Sequence, residues 1–300
     1  MAIVVVGSVA LDSITTPAGS HAQLLGGSAT YFTLAARRFT DVRLVGAVGQ
    51  DIDKTVLRVL RHPRVDLEGL AVLPGNTFRW EGQYSEDMLS RTTTGLSLGV
   101  FETFQPHIPV EHRRPSTVFL ANIDPRLQEL VLSQVDRPRM IGVDTIDHWI
   151  RNQRDPLLKL LRNIDAIFLN EEEARLLTQL STLKAMGAWL RKQGPSIVII
   201  KQGWYGAVGW VGAEMVWVPA YPVDKTIDPT GAGDAFAGGV LGYLDRLPRV
   251  SASQLRQAML HGSIVGSFCV ESFGVSGLAR LTPARYAARL SSLKRIAGLS

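Results

Sequence analysis

Short apolar runs recur along the chain, each ended by a glycine or a polar residue. Residues 3–6 stop at Gly7, residues 42–48 follow, and residues 118–121, 140–143, 166–169 and 197–200 continue the series. Runs of this length, bounded by turn signals, predict strands buried on both faces, as in a parallel sheet. Between them the apolar spacing turns helical, near residues 29–39, 126–134, 156–162, 171–177 and 183–193. A further helix is expected from Gly46-Ala-Val-Gly-Gln-Asp51 to about Leu60. After residue 232, Phe236, Val240 and Leu244 fall on one helical face, and residues 253–270 and 283–296 read as two more helices. Strands alternating with helices predict an α/β fold with a doubly wound, mostly parallel sheet flanked by helices.

Two stretches break that rhythm. Between Leu70 and Phe104, Thr77 to Tyr84 alternates and Thr92 to Leu98 is rich in β-formers, with turns at Gly75-Asn76 and Ser85-Glu-Asp87. These predict antiparallel strands inserted into the α/β chain, with Trp80 and Tyr84 on a lid, at an interface or on a plain hairpin. Residues 208–211 and 215–218, around Gly212-Ala213, predict a second hairpin.

Ligands of open α/β sheets bind beyond the carboxyl ends of the strands, so the polar residues there are candidates. They are Asp12 after the first run, then Asn122, Asp124, Asp144 and Asn170. Each has a simpler reading as a turn residue or helix cap. Gly26-Gly27 opens the helix near residue 29 and bares backbone to a ligand, or serves as a flexible turn. Asn170-Glu-Glu-Glu173 reads as an Asn cap with glutamates in the first helical turn, resembling a capping box. Lys201-Gln-Gly-Trp-Tyr-Gly206 follows the strand at 197–200, with Lys201 meeting phosphate or solvent.

One stretch outweighs the rest: Asp228-Pro-Thr-Gly-Ala-Gly-Asp-Ala-Phe-Ala-Gly-Gly239. Glycines at a loop-to-helix junction leave unpaired amides at the positive end of the helix dipole, a site built for phosphate. Asp234 amid that site would repel phosphate unless it has work beside it. Taking a proton from an attacking hydroxyl is such work, with the amides of Gly231, Ala232, Gly233 and Asp234 stabilising the transferred charge. An ordinary helix start capped by Asp228 or Thr230 is the alternative. Glycine costs roughly 1 kcal/mol in a helix, so Gly238 and Gly239 argue for close approach of something to this helix.

This stretch resembles the carboxyl-terminal signature of the ribokinase-like (PfkB) family of sugar and nucleoside kinases, and the resemblance extends over nearly the whole chain. It implies a single ribokinase-like domain over residues 1–300, with a small β-sheet lid formed by about residues 13–25 and 72–104. It implies ATP as phosphoryl donor, magnesium organised through water by Asn170 and Glu173, and a monovalent cation, K⁺, beside Asp228. Asp234 becomes the general base. Asp12, Gly26, Gly27, Asn122 and Asp144 then bind the sugar or nucleoside. Lys201, Gly203, Gly206, Thr230 and Gly262 serve the nucleotide, the small residues around Gly262 suiting a flat adenine or close helix packing. Homodimerisation through the lid is a further implication. The family's usual asparagine four residues after the second glycine is Tyr31 here.

Composition narrows the alternatives. A net charge of +5 suits anionic substrates. The basic residues are dispersed and lack aromatic interleaving, which argues against nucleic acid. One cysteine, Cys269, excludes an internal disulfide and leads to the expectation of a reducing cytoplasm. The amino terminus is too short and uncharged for a signal peptide, and no apolar run nears the ~20 residues of a membrane span. There is no P-loop, no Gly-x-Gly-x-x-Gly after a strand and no His-Glu-x-x-His. A kinase is the leading reading. A non-catalytic sensor of sugar or nucleotide on the same fold is the alternative, and the retained Asp234 argues against it.

Overall fold

The computed structural model describes residues 1–298, so the last two positions of the expected domain lie outside the described residues. The chain opens with β1 (Ala2–Val6), β2 (Ala10–Thr16), β3 (Gly19–Gly26), α1 (Ser28–Ala36) and β4 (Asp41–Gly49). Then come β5 (Val65–Asp66), β6 (Leu70–Leu73), β7 (Phe78–Tyr84), β8 (Arg91–Ser97) and β9 (Thr117–Leu120). Helices and strands alternate next: α2 (Pro125–Leu132), β10 (Met140–Asp144), α3 (Asp147–Asn152), α4 (Arg154–Leu161), β11 (Ala166–Asn170), α5 (Glu171–Thr178) and α6 (Leu183–Lys192). The chain continues with β12 (Ile197–Lys201), β13 (Ala207–Val211), β14 (Glu214–Val218), α7 (Ala232–Leu244), α8 (Ala252–Cys269), α9 (Ser276–Ala279) and α10 (Pro283–Ile296).

The main sheet runs β14-β13-β12-β11-β10-β9-β1-β4-β5, with β6 added beside β4. Among the described residues only the β12–β13 and β13–β14 pairings in it are antiparallel, so β13 alone runs against the other strands. Successive side chains of β1 feed opposite cores, as the period of a strand requires. Ile3 and Val5 join the cluster of Phe32, Phe119, Val240 and Leu260 under α1, α7 and α8. Val4 and Val6 join Leu120, Leu157, Leu177 and Leu190 under α2, α4, α5 and α6. Phe32 stacks on Phe119 with centroids 4.1 Å apart, seating α1 on the sheet. A smaller separate sheet, β3-β2-β7-β8, stands beside the first. Its outer strands are largely exposed.

Two expectations are corrected. No α-helix spans residues 51–60: β4 continues to Gly49 and only a single 3₁₀ turn forms at Val56–Leu60. Asp51 is spent instead on holding the start of β7, accepting from the amide and hydroxyl of Thr77, each at 2.7 Å. The expected antiparallel pair forms as β7 and β8, while Leu70–Leu73 ahead of it pairs parallel with β4. Asp12 lies within β2, opposite Leu24 and beside Trp80, rather than in a turn beyond β1.

Candidate active site

The carboxyl ends of β10, β11 and β12 and the amino end of α7 converge on one charged cluster. Parallel register sets Asn170 beside Lys201 at the tips of β11 and β12. Across the top, Lys201 Nζ donates to Asp144 Oδ2 at 2.9 Å, and both side chains are largely buried. Burial disfavours the Lys201 ammonium, but Asp144 and Glu173 outweigh it and hold its pKa above the ordinary lysine value. Lys201 is therefore no surface lysine. A Cβ added to Gly233 would stand 3.0 Å from Lys201 Nζ, so the missing side chain lets the ammonium lie against the loop.

That loop leads straight into a helix start. Gly231 takes φ +74°, the left-handed region, and no side chain caps α7. The Ala232 amide closes a turn onto Pro229 O, and Ala235 donates to Gly231 O. Among the described residues no carbonyl takes the amides of Gly231, Gly233 or Asp234. Of the four expected amides, those of Gly231 and Gly233 keep their N–H groups available, while that of Asp234 is turned toward its own carboxylate. Asp234 sits in the first turn of α7 and is partly exposed. Burial, then the charge of Asp144, pushes its carboxyl up to about 7. A carboxyl poised there accepts a proton at neutral pH.

Glu173 and Asn170 form a reciprocal capping box: Asn170 Oδ1 accepts from the Glu173 amide at 2.8 Å, and Glu173 Oε2 from the Asn170 amide at 2.7 Å. Burial pushes the Glu173 carboxyl up to about 7, against the pull of Lys201. Gly203 (φ +56°) and Gly206 (φ +99°) close a turn after Lys201, in which the Gly206 amide donates to Gly203 O at 3.1 Å. A Cβ on Gly206 would stand 2.0 Å from Val218 O.

On the other side of the loop, Asp12 is 4 % exposed. A Cβ at Gly26 would overlap its Oδ2, at 1.8 Å, so glycine is needed where β3 passes the carboxylate. Burial and the charge of Asp228 push Asp12 up to about 7. Gly27, at φ +92°, starts α1. Tyr31 packs its ring under Gly231, where a Cβ would meet it at 2.3 Å. It is a support for the loop, and nothing in its spacing announced that role. The second sheet touches the same loop twice. Thr16 Oγ1 donates to Ile227 O at 2.9 Å, and the Tyr84 hydroxyl lies 3.0 Å from Thr230 Oγ1.

Asp228 is 1 % exposed; its two oxygens accept from the amides of Thr230 and Gly274, each at 2.9 Å. It ties the anion loop to residues 270–276. Asn122 lies apart from the cluster's hydrogen bonds, its Oδ1 accepting from Trp149 Nε1 at 2.9 Å. Asp124 caps α2 and pairs with Arg126. Gly262 serves close helix packing, one of the two readings expected of it. A Cβ there would meet Phe236 O and Val240 Cγ2, each at 2.8 Å, and Gly239 packs against Gly262 itself. The close approach required by Gly238 and Gly239 is thus made by α1 and α8, not by a ligand.

Comparison with known proteins agrees with this geometry. The sequence pattern of the pfkB family carbohydrate kinases matches residues 141–280. A cytidine kinase of Thermococcus kodakarensis is 30 % identical over 270 residues, covering 86 % of this chain and 95 % of that protein. The nucleoside kinase of Burkholderia thailandensis in complex with inosine superposes with a TM-score of 0.78 at 20 % identity, covering 97 % of this chain and 98 % of that one. A fructokinase double mutant of Vibrio cholerae O395, with fructose, ADP and potassium bound, gives a TM-score of 0.78 at 19 % identity over 96 % and 98 % of the two chains. At such identities the two structures speak for the fold alone. No helix among the described residues is long and apolar enough to cross a membrane.

Proposed function

The chain belongs to the pfkB family of carbohydrate kinases, and from that premise we propose that it transfers the terminal phosphoryl group of ATP to a hydroxyl of a nucleoside. One observation carries the reading: a carboxylate raised to about 7 stands in the first turn of a helix at whose start the amides of Gly231 and Gly233 have no backbone partner. A helix start needs no such carboxylate, whereas hydroxyl activation beside phosphate does. Similarity to a cytidine kinase along most of both chains supports a nucleoside over a free sugar.

The roles follow from position. Asp234 takes the acceptor proton, the amides of Gly231 and Gly233 receive the transferred charge, and Lys201 supplies a cation beside them. Lys201 is itself held by Asp144, which makes Asp144 a positioning residue on the phosphate side rather than an acceptor contact. Asp12 accepts hydrogen bonds from the acceptor's hydroxyls, and the second sheet is the lid. Gly203 and Gly206 shape the nucleotide turn, and Thr230 steadies the loop. Asn122 is left as an acceptor contact at the crevice edge.

Magnesium suits Glu173 and Asn170, whose hard oxygens bind it best through water; when bound it neutralises phosphate charge. A monovalent cation such as K⁺ suits Asp228. That carboxylate is buried, and among the described residues no basic side chain pairs with it, so a cation would supply the missing charge. A second copy would cover the outer strand β8, which is largely exposed and carries Leu96. The buried free Cys269 suits a reducing cytoplasm.

The test is ATP consumption and product analysis with a panel of nucleosides and sugars. Nucleosides should turn over faster than any free sugar. ATPase activity indifferent to every acceptor would overturn the reading.

A further inference from the structure

The amino ends of the main-sheet strands border a second cavity, of about 880 Å³. It lies beside Ala2, Asp41, Val65 and Ser116, where β1, β4, β5 and β9 begin. An open α/β sheet takes its ligands beyond the carboxyl ends of the strands, so the crevice does not account for this hollow. Its volume falls within the roughly 300–1,000 Å³ of small-molecule sites.

The lining is cationic. Arg43, Arg61, Arg64 and Arg114 stand in it against two carboxylates, Asp41 and Asp66. Asp66 is already engaged: its Oδ1 accepts from the Glu68 amide at 2.9 Å, and its Oδ2 lies 3.0 Å from His112 Nε2. Arg114 pairs with Asp136 at 3.3 Å. Among the described residues no carboxylate lies within ion-pair distance of Arg43, Arg61 or Arg64. Three guanidinium groups are thus left with Asp41 alone. His62 feels the excess, since burial and then the charges of Arg37 and Arg64 hold its imidazole below the ordinary histidine value.

These cations are anchored by backbone. In the turn at residues 62–65 the Val65 amide donates to His62 O at 2.9 Å, and the Arg64 amide donates to His62 Nδ1 at 3.1 Å. The Val42 amide donates to Arg64 O at 2.8 Å and fastens the turn to β4. Arg43 follows on that strand, and its Nη1 donates to Glu111 O at 3.2 Å. Arg64 Nη1 donates to Arg38 O at 3.4 Å. Each carbonyl takes one of several guanidinium donors and leaves the positive charge unneutralised. The remaining donors form forks that match phosphate oxygens two at a time. They gather in a hollow rather than along a stripe, which fits a small ligand and not a nucleic-acid strand.

We infer that this cavity is a second anion site, taking a small molecule with two linked phosphate groups on Arg43, Arg61 and Arg64. Three forks gripping in pairs call for more oxygens than one phosphate group offers. This site stands apart from the kinase reading above and needs no turnover to be seen.

Inorganic pyrophosphate is the probe, titrated into the full chain at low ionic strength and followed by calorimetry and by the ring resonance of His62. A bound anion favours the imidazolium, so the His62 titration should move to higher pH as pyrophosphate saturates. Arg61→Ala/Arg64→Ala should weaken that binding at least tenfold, because each charge-assisted hydrogen bond lost contributes about that factor. Arg61→Gln/Arg64→Gln gives the same reading should the alanine variant fail to fold. Lys184→Ala/Lys192→Ala removes as much charge from exposed positions of α6 and should leave binding unchanged. Neither pair of substitutions should alter kcat. ADP separates the two sources of a diphosphate. If it shifts His62 at lower concentration than pyrophosphate does, the ligand is a nucleotide whose nucleoside half fills the rest of the cavity; the reverse order assigns free diphosphate. A His62 resonance indifferent to pyrophosphate and ADP overturns the inference. So does an equal response to orthophosphate, or an equal loss of binding in the α6 variant, since either would be charge attraction without a site.

Discussion

The two walls of the crevice are built in opposite ways. The wall of the main sheet rests on strands buried on both faces, and its charged groups Asp144, Lys201, Glu173 and Asp234 hold one another. The lid wall has strands with long exposed stretches and reaches the anion loop through two hydroxyl contacts, from Thr16 and Tyr84. Groups that must be placed within fractions of an ångström belong on rigid elements. Elements that must open belong where few buried contacts hold them. On the function proposed above, the contrast suits bond making at one wall and capture at the other.

The sharpest way to break that assignment is Asp234→Asn. The amide keeps the size and the helix start but cannot take the proton, so kcat should fall by about 10²- to 10⁴-fold. Binding of ATP, followed by calorimetry without acceptor, should barely move. A mutant keeping a third of its turnover would take Asp234 out of the chemistry.

Capture is tested from the lid by Asp12→Asn. Charge-assisted hydrogen bonds are worth about 1.5–3 kcal/mol each, so the acceptor's KM should rise at least tenfold. ATP binding should stay put, and its collapse would mean that Asp12 serves the nucleotide or the fold. The same variant has a pH signature. The folded carboxyl is raised from 3.8 to about 7. Its contribution to stability is then fully present below about pH 4 and lost as pH rises through about 7. Asp12→Asn removes that loss, so the gap in melting temperature between wild type and variant should shift in the variant's favour from pH 5 to pH 8. A gap independent of pH would contradict the burial of this charge.

The base gives a second pH signature of about the same size. With Asp234 at about 7, the ionised fraction rises about tenfold between pH 6 and pH 8. Turnover should climb through that window and level off above it. Asp234→Asn should be flat over the same range, which ties the profile to this carboxyl.

How much of this could be read from residues alone differs between the walls for a physical reason. β1 and β9 to β12 were legible because strands covered on both faces are written as apolar runs. β2 and β3 carry Asp12, Ser13 and the exposed stretch Gly19 to Gln23, so no such run marks them. The expected helix after Asp51 failed because that carboxylate is pledged to Thr77, a contact between distant residues that no local pattern encodes. The site shows the same division. The anion loop is a continuous stretch, and its glycines and Asp234 are legible as a unit. The Asp144–Lys201 pair depends on β11 lying between two parallel neighbours. Tyr31 under Gly231 likewise depends on packing.

The smallest effect belongs to the contact between the walls. Tyr84→Phe deletes a hydroxyl 3.0 Å from Thr230 Oγ1 and leaves the ring in place. A hydrogen bond of this kind contributes roughly 0.5–1.5 kcal/mol, and losing it should favour the open lid by that amount. If the closed lid is the form that grips the acceptor, its KM should rise by no more than about tenfold, since 1.4 kcal/mol is a factor of ten. The rate of the bound complex should change less, because Asp234 and the loop amides belong to the other wall. Hydrogen exchange offers a readout independent of activity. Amides of Phe78–Tyr84 and Arg91–Ser97 should exchange faster in the variant, while those of Met140–Asp144 and Ile197–Lys201 keep their protection. Equal acceleration in both sets would show that the two walls open as one unit, and the division of labour between them would have to be given up.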